Sequence, residues 1–297
     1  MSIYQTKSLS KPCKKNYDYA IGFLEGWSDI YLAEKVSADK KYAWIHSTYE
    51  NIAPIPHLDR PWMEKVDKIV FVTDQCTSNF KESVPDMAEK AITVENILDS
   101  SLIKKRSMLI DRNDTDYAEF SSFDGIKIIT VCRIDISIKG LDRLLNCAKY
   151  LKDNNLKFMW YIVGGGIQLD SYRAMIQEHD LQGCVCAIGE KLNPYPFMKI
   201  ADIYCMLSRY EGKPMSVTES MILGTPPLVT AYLAANEQIR DGVEGWIVKN
   251  EDTGANQTLA SLIRHPETIR KAHEWLNNQE YGNCSYMRDI EKILFGG

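Results

Sequence analysis

Glu211 and Glu219 close the two ends of Glu-Gly-Lys-Pro-Met-Ser-Val-Thr-Glu, the last part of the run Ser208-Arg-Tyr-Glu-Gly-Lys-Pro-Met-Ser-Val-Thr-Glu219. The run follows an apolar stretch predicted as a strand and enters a helix with Pro214 at its start and Gly224 at its end, the positions these residues favour. Gly212 permits a tight turn ahead of that helix. The amides of Lys213, Met215 and Ser216 can then point at an anion, helped by the helix dipole. The pattern is not a P-loop, because Lys213 is followed by Pro214 and position 207 is leucine. Eight residues of helical rise put the two carboxylates about 12 Å apart, against roughly 5–5.5 Å for the pair of a retaining glycoside hydrolase. They suit the two ends of one elongated ligand, ribose hydroxyls at one and a sugar at the other. Taken alone, they also fit two solvated glutamates flanking a helix.

A second group of polar residues stands upstream. Ile128-Ile-Thr-Val-Cys-Arg-Ile-Asp-Ile-Ser-Ile-Lys-Gly140 reads as a buried strand leading through a loop into an amphipathic helix, with Arg133 and Lys139 beyond the strand's carboxyl end. Ligands of open α/β sheets bind at that end, and two cations there would neutralise a diphosphate, the arginine bidentately. As isolated residues they read equally as surface charges. Val163-Gly-Gly-Gly166 ends the next strand at the same sheet edge, where Gly165 and its neighbours allow close backbone approach.

The elements that must position these residues alternate along the whole chain. Short β-branched runs and longer helical patterns succeed one another, the mark of an α/β fold with parallel sheets. Strands are predicted at 19–24, 42–46, 69–73 and 91–94 in a first part, and at 127–132, 158–163, 184–188, 203–206, 227–230 and 245–248 in a second. Asp111-Arg-Asn-Asp-Thr-Asp-Tyr117 is polar enough for a linker, which places a first domain at 1–115, a second at 116–275 and a terminal helix segment at 276–297. The second part has the size of a complete nucleotide-binding unit. The first supplies four strands, and nothing before residue 17 reads as an opening strand and glycine-rich loop, so it is expected to be a truncated domain or a small one.

Composition narrows the function classes. The chain has 297 residues, 45% hydrophobic and 25% charged, which suits a globular protein of one or two domains. A formal net charge of -5 argues against a nucleic-acid partner. Any anionic ligand must be held locally. The eight scattered cysteines match no zinc or disulfide framework and read as reduced thiols of a cytoplasmic protein. The polar segment before Asn16 is expected to be neither signal peptide nor membrane span, which leaves room for peripheral contact with the inner face of a membrane.

In this order, the motifs resemble those of glycosyltransferase family 4, the retaining nucleotide-sugar transferases of GT-B fold, also grouped as glycosyl transferases group 1. The resemblance runs from Asp18 to the C-terminus: Ala43-Trp-Ile-His-Ser, Val94-Glu-Asn-Ile, the Arg133 to Lys139-Gly loop, Val-Gly-Gly-Gly, Asn193-Pro-Tyr-Pro, the Glu211 to Glu219 segment, and Leu223-Gly-Thr-Pro. It implies two Rossmann-like domains, with Met287–Leu294 as a helix crossing back onto the first. It implies that Arg133 and Lys139 hold the donor diphosphate, with Gly165, Gly212, Lys213, Pro214, Met215 and Ser216 around it, and that Glu219 binds ribose. Glu211 would contact the transferred sugar, with His46 facing that sugar from the other domain. Glu25, at the end of the first strand, is the candidate for the acceptor side. The remaining histidines, 57, 179, 265 and 273, read as structural or surface.

The reaction implied is transfer of a sugar from a nucleoside diphosphate to a hydroxyl of a saccharide or lipid-linked saccharide, with retention, in polysaccharide or glycolipid assembly. It needs no cofactor and no metal: the sequence is expected to lack the Asp-x-Asp arrangement that metal-dependent transferases use, Asp135 having Arg133 two positions before it. No close carboxylate pair is visible, which favours direct same-face displacement. Family members open with a strand and glycine-rich loop, so by typical domain sizes this chain would start about 70–90 residues later. Donor binding would survive that loss better than turnover. The competing readings are a nucleotide-sugar-binding subunit that needs a partner polypeptide for the opening segment, and a GT-B epimerase or phosphorylase, whose acid/base carboxylates or pyridoxal lysine are not readable here.

Overall fold

The computed structural model describes residues 10–50 and 56–295, so the expectations for residues 1–9 fall outside it. The chain divides into two units. The first comprises residues up to Asn96 together with Glu211–Lys213, and the second Ile97–Tyr210 and the remainder from Pro214.

In the first unit the elements run β1 (Asn16–Gly22), α1 (Trp27–Lys35), β2 (Ser37–Ile45), α2 (Pro56–Met63), β3 (Lys68–Phe71), α3 (Asp74–Ser83), a 3₁₀ turn (Pro85–Lys90) and β4 (Ala91–Thr93). The strands form one sheet in the order β1-β2-β3-β4, each pair parallel. Ile69, Val70 and Phe71 are fully buried, the continuous apolar run expected of a strand covered on both faces. Thr73 ends that run and caps α3, its hydroxyl accepting the Cys76 amide at 3.0 Å. Edge strand β1 differs: Tyr17, Tyr19 and Ile21 are more than two-fifths exposed.

The second unit opens with α4 (Ser100–Ser107) and α5 (Thr115–Ser122) and continues β5 (Ile126–Val131), α6 (Leu141–Asp153), β6 (Phe158–Val163), α7 (Leu169–Glu178) and β7 (Val185–Gly189). Then come α8 (Tyr195–Ile200), β8 (Ile203–Met206), α9 (Met215–Ile222), β9 (Pro227–Thr230), α10 (Ala235–Gln238) and β10 (Trp246–Val248). Three helices, α11 (Asn256–Arg264), α12 (Pro266–Asn277) and α13 (Met287–Phe295), complete it. Its six strands are parallel in the order β10-β9-β8-β5-β6-β7. Alternate residues feed two cores, one on each face: Ile128, Trp160, Ile162 and Cys205 join one, Ile129, Tyr161, Val163 and Tyr204 the other. Helix α6 covers the first face with Leu141, Leu144, Leu145, Ala148 and Leu151, an i, i+3, i+4 stripe.

All ten predicted strands are present. The domain boundary differs, lying between Asn96 and Ile97 rather than near residue 115. The cause is core packing. Ile103 of α4 and Phe120 of α5 are buried in the second unit, and Phe120 stacks on Tyr161 with ring centroids 4.4 Å apart. Burying Phe120 alone stabilises by about 1.5–3 kcal/mol. The polar run read as a linker is cap chemistry: Asp114 accepts the Tyr117 amide at 3.2 Å and starts α5. The terminal helix forms where expected and groups with the second unit.

Candidate functional site

The six-strand order places β5 beside β8 although β6 and β7 lie between them in sequence. Helical connections run one way from β5 and the other way from β8, and the crevice beyond their carboxyl ends is where such sheets bind ligands. The segments after these two strands are those the sequence singled out, 132–140 and 207–219.

The 132–140 loop is held from both sides. Ile134 donates its amide to the Gly165 carbonyl at 2.8 Å, and a Cβ on Gly164 would lie 1.8 Å from the Cys132 oxygen, so only glycine permits that approach. Gly140 adopts φ 61° with a Cβ position 2.0 Å from the Leu207 oxygen, which accounts for the Lys-Gly pair. Arg209 closes the loop: its amide donates to the Ile138 carbonyl at 3.0 Å, and its guanidinium makes two bonds to Asp142, 2.8 and 2.7 Å, and one to the Ser137 carbonyl at 2.7 Å. Lys139 is half-buried in this clamped loop. Arg133 is exposed, 3.8 Å from Asp135.

Helix α9 begins at Met215, with extended Pro214 as its N-cap. Neither the Met215 nor the Ser216 amide has a backbone partner within the helix, the state of every helix start. The Ser216 hydroxyl faces inward instead, 2.7 Å from Tyr204 Oη. Gln238 fixes the turn, donating to the Pro214 carbonyl at 2.9 Å and to Thr218 Oγ1 at 2.8 Å. At the other end Gly224, φ 80°, donates to the Met221 carbonyl and Thr225 to the Ser220 carbonyl, a Schellman stop.

Glu219 lies on α9 in a polar niche. Tyr195 Oη donates to Glu219 Oε1 at 2.9 Å, and the Arg106 guanidinium stacks over the Tyr195 ring at 5.1 Å. Burial raises the Glu219 pKa, opposed by the Tyr195 hydrogen bond and the Arg106 charge. Arg106 itself is anchored to the Leu192 carbonyl at 2.8 Å.

A cavity of about 430 Å³ opens beside the switch point, bounded by Arg133, Gly164, Gly165, Glu190, Lys191 and Pro194 among others. Gly165 therefore lines a ligand-sized hollow. Lys191 Nζ donates at 2.8 Å to both Asp114 and Asp116. That aspartate pair does have Asp-x-Asp spacing, contrary to the expectation that the sequence lacked it, and both carboxylates share the one lysine.

The first unit carries its own cluster. His46 follows the carboxyl end of β2. Its amide donates to Glu25 Oε2 at 3.0 Å, so Glu25 is turned to the histidine backbone. His46 Nε2 lies 3.0 Å from the Phe23 carbonyl, and the two rings meet edge to face at 5.1 Å. Gly212 packs on the same turn: a Cβ there would be 2.0 Å from the His46 oxygen. Lys213 Nζ donates to Glu95 Oε1 at 2.7 Å. Glu211 and Glu219 thus belong to different units, Glu211 half-buried in the first.

Of the other histidines, His273 Nε2 meets the Asp202 carbonyl at 2.9 Å, His179 ends α7, and His265 Nδ1 is 3.4 Å from Glu267. The side chain of His57 lies outside the described residues. Sequence reasoning missed Arg209, Tyr195, Arg106 and Gln238. A signal existed for two of them, since Arg209 follows a strand end and Tyr195 falls within Asn-Pro-Tyr-Pro.

A doubly wound parallel sheet with polar groups gathered at its switch point is the architecture in which open α/β proteins bind their ligands. Residues 115–280, more than half of the chain, match the family model described as glycosyl transferases group 1. The chain belongs to that family. Among curated proteins it is similar to the putative glycosyltransferase EpsD of Bacillus subtilis, 27% identical over 45% of this chain and 35% of that one. It is also similar to the amylovoran biosynthesis glycosyltransferase AmsK of Erwinia amylovora, 27% identical over 46% and 35%. The match spans about a third of the length of these relatives. Among solved structures, S. aureus TarM in complex with UDP aligns at TM-score 0.69 and 17% identity, over 99% of this chain and 58% of its own. Anabaena HepE in complex with UDP and glucose aligns at 0.71 and 15%, over 86% and 71%. The fold is that of GT-B glycosyltransferases, as the motif order implied. No helix among the described residues is long and apolar enough to cross a membrane.

Proposed function

We propose that the chain binds a nucleoside diphosphate sugar at the switch point of its second unit and transfers the sugar to a hydroxyl with retention of anomeric configuration. The observation that carries this reading is the clamping of the Arg133–Lys139 loop onto the end of β8 by Gly140 and Arg209. It fixes the backbone of the loop that carries both cations before any ligand arrives. Negative charge grows on the departing diphosphate as the glycosidic bond breaks, and fixed cations and amides aimed at that charge lower the barrier without reorganising. No metal ion is required in this reading. Glu219, held by Tyr195, takes the ribose hydroxyls as a carboxylate acceptor. Arg133, Gly165 and Glu190 border the cavity that takes the adjoining part of the nucleotide. Glu211 contacts the sugar, and a saccharide or lipid-linked saccharide is the acceptor. A place in polysaccharide assembly accords with the role that the name of AmsK gives, amylovoran biosynthesis.

Thermal unfolding with UDP and with UDP-sugars tests donor binding, since a ligand at one hundred times its dissociation constant stabilises by about 2.7 kcal/mol. Turnover and product stereochemistry are then measured on the same preparation. An inverted product removes the retaining mechanism. Donor binding without turnover favours the binding-subunit reading.

A further inference from the structure

Helix α4 buries Ile103 and Ser107 in the second unit and leaves Leu102 more than half exposed. Past the helix, Met108, Leu109 and Ile110 are 65%, 62% and 45% exposed, and Leu192, in the loop before α8, is 96% exposed. Direct contacts gather these residues into one patch. Arg106 donates to the Leu192 carbonyl at 2.8 Å, Asn193 Nδ2 donates to the Leu109 carbonyl at 3.3 Å, and Lys199 Nζ lies 2.9 Å from Met108 Sδ. Leu109 and Leu192 also line one cavity of about 280 Å³. The whole patch belongs to the second unit.

Cations are interleaved with these apolar side chains. Residues 97–112 hold Lys104, Lys105, Arg106 and Arg112 against Asp99 and Asp111, in a chain whose formal net charge is -5. Lys104, Lys105, Arg112 and Lys199 are exposed. The two aspartates serve turns, Asp99 capping α4 and Asp111 accepting the Asn113 amide at 2.9 Å, and on the flank Asp114 and Asp116 share Lys191. Exposed apolar clusters rimmed by polar residues mark contact sites for proteins or membranes. Protein interfaces are depleted in lysine. A bilayer surface accepts it: leucines enter the headgroup boundary while lysine stems run beside them and the ammonium groups meet anionic phosphates.

We propose that this patch, residues 102–112 with Leu192 and Lys199, docks the second unit on an anionic lipid surface. Glu190 and Lys191 line both the cavity at Leu109 and the larger one beside the switch point, so docking holds the switch-point hollow close to the headgroups. The docking does not depend on the transferase reading, which supplies only its use: a lipid-linked acceptor is met at the surface where it resides.

Cosedimentation of the full chain with vesicles tests the proposal. The chain should pellet with vesicles of equal parts phosphatidylglycerol and phosphatidylcholine, be released by salt that shortens the Debye length well below about 8 Å, and bind pure phosphatidylcholine at least about 10-fold more weakly. Lys104→Glu combined with Lys105→Glu should weaken binding to the anionic vesicles by at least about 25-fold, roughly fivefold for each cation lost. Leu109→Ser combined with Leu192→Ser should weaken it by about 10-fold or more. All four side chains are in solvent, so both variants should melt within about 2 °C of the parent chain.

Absence of binding, equal binding to the two lipid compositions, or binding that either pair of substitutions leaves intact overturns the proposal. So does a dimer in sedimentation velocity that Leu109→Ser with Leu192→Ser converts to monomer, which gives the patch to a second copy of the chain. Stabilisation by UDP without vesicle binding removes the docking and keeps the transferase reading; vesicle binding without stabilisation by UDP does the reverse.

Discussion

Arg209 reaches across the switch point to Asp142 with two parallel hydrogen bonds, 2.8 and 2.7 Å, joining the end of β8 to the first turn of α6. The pair spans the two strands between which the donor loop hangs, so it positions Lys139 without itself needing to touch a ligand. Arg209→Met is expected to cost about 1–2 kcal/mol of stability, partial exposure trimming the full value of a charge-assisted pair. It should also weaken UDP binding at least as much as it weakens folding. Denaturant titration and UDP calorimetry on one preparation check both. The Arg209 hydrogen bond holds the Asp142 pKa below the usual carboxylate value. That contribution is therefore present above about pH 4 and is lost as pH falls through the depressed folded value. In Arg209→Met the acid limb of the stability curve should be shallower.

Glu219 runs with the opposite sign. Burial raises its pKa, so its ionisation costs stability as pH rises from about 4.3 through the folded value. Glu219→Gln should raise the melting temperature of the ligand-free protein by roughly 2–4 °C per kcal/mol relieved, while abolishing the UDP-induced shift. Tyr195→Phe removes the opposing hydrogen bond and should push the Glu219 pKa higher still, measurable by carboxyl-carbon NMR titration. A lower Glu219 pKa in that variant would contradict the niche described here.

Gly140 and Gly164 occupy places where a methyl group overlaps a carbonyl, 2.0 and 1.8 Å from Leu207 and Cys132 oxygens. Gly140→Ala adds left-handed strain of about 1–2 kcal/mol to that overlap. Gly242, with φ 72° and open space around its Cβ position, is the control. Gly242→Ala should carry the strain alone, and chemical unfolding should rank the two substitutions in that order.

Arg133 and Lys139 are expected to act on phosphate and not on the base. The double variant Arg133→Ala, Lys139→Ala should weaken UDP binding by about 10²-fold, close to 1.4 kcal/mol for each charge, and leave uridine binding unchanged. Equal losses for UDP and uridine would place the cations elsewhere on the ligand.

The α/β class and the ten strands were legible because buried parallel strands announce themselves as apolar runs such as Ile69-Val-Phe and Met159-Trp-Tyr-Ile. The 132–140 loop was legible for a different reason: glycines at 140 and 164 and cations at 133 and 139 sit at strand ends, where open α/β sheets bind ligands. What escaped was long-range and polar. Nothing local marks Gln238 as the residue that fixes Pro214, 24 positions away in sequence, or Arg106 as the cation stacked on Tyr195. The boundary was misplaced because aspartates and asparagines serve linkers and helix caps alike, and only the burial of Phe120 separates the two uses. Nor does anything local mark the backbone amide of His46, 21 residues on, as the partner of Glu25.

The neighbour relation of β5 and β8 also sets the order in which the second unit can assemble. Ile128 pairs with Ile203, and Ile129 with Tyr204. During synthesis, β5, β6 and β7 leave the ribosome with one flank of β5 unpaired until the chain has grown past residue 206. Closing so long a loop is entropically slow, and an open apolar flank is the kind of surface that chaperones cover. The crevice that would receive the nucleotide therefore does not exist until that closure is made, and a nucleoside diphosphate supplied during refolding should speed only the steps that follow the docking of β8.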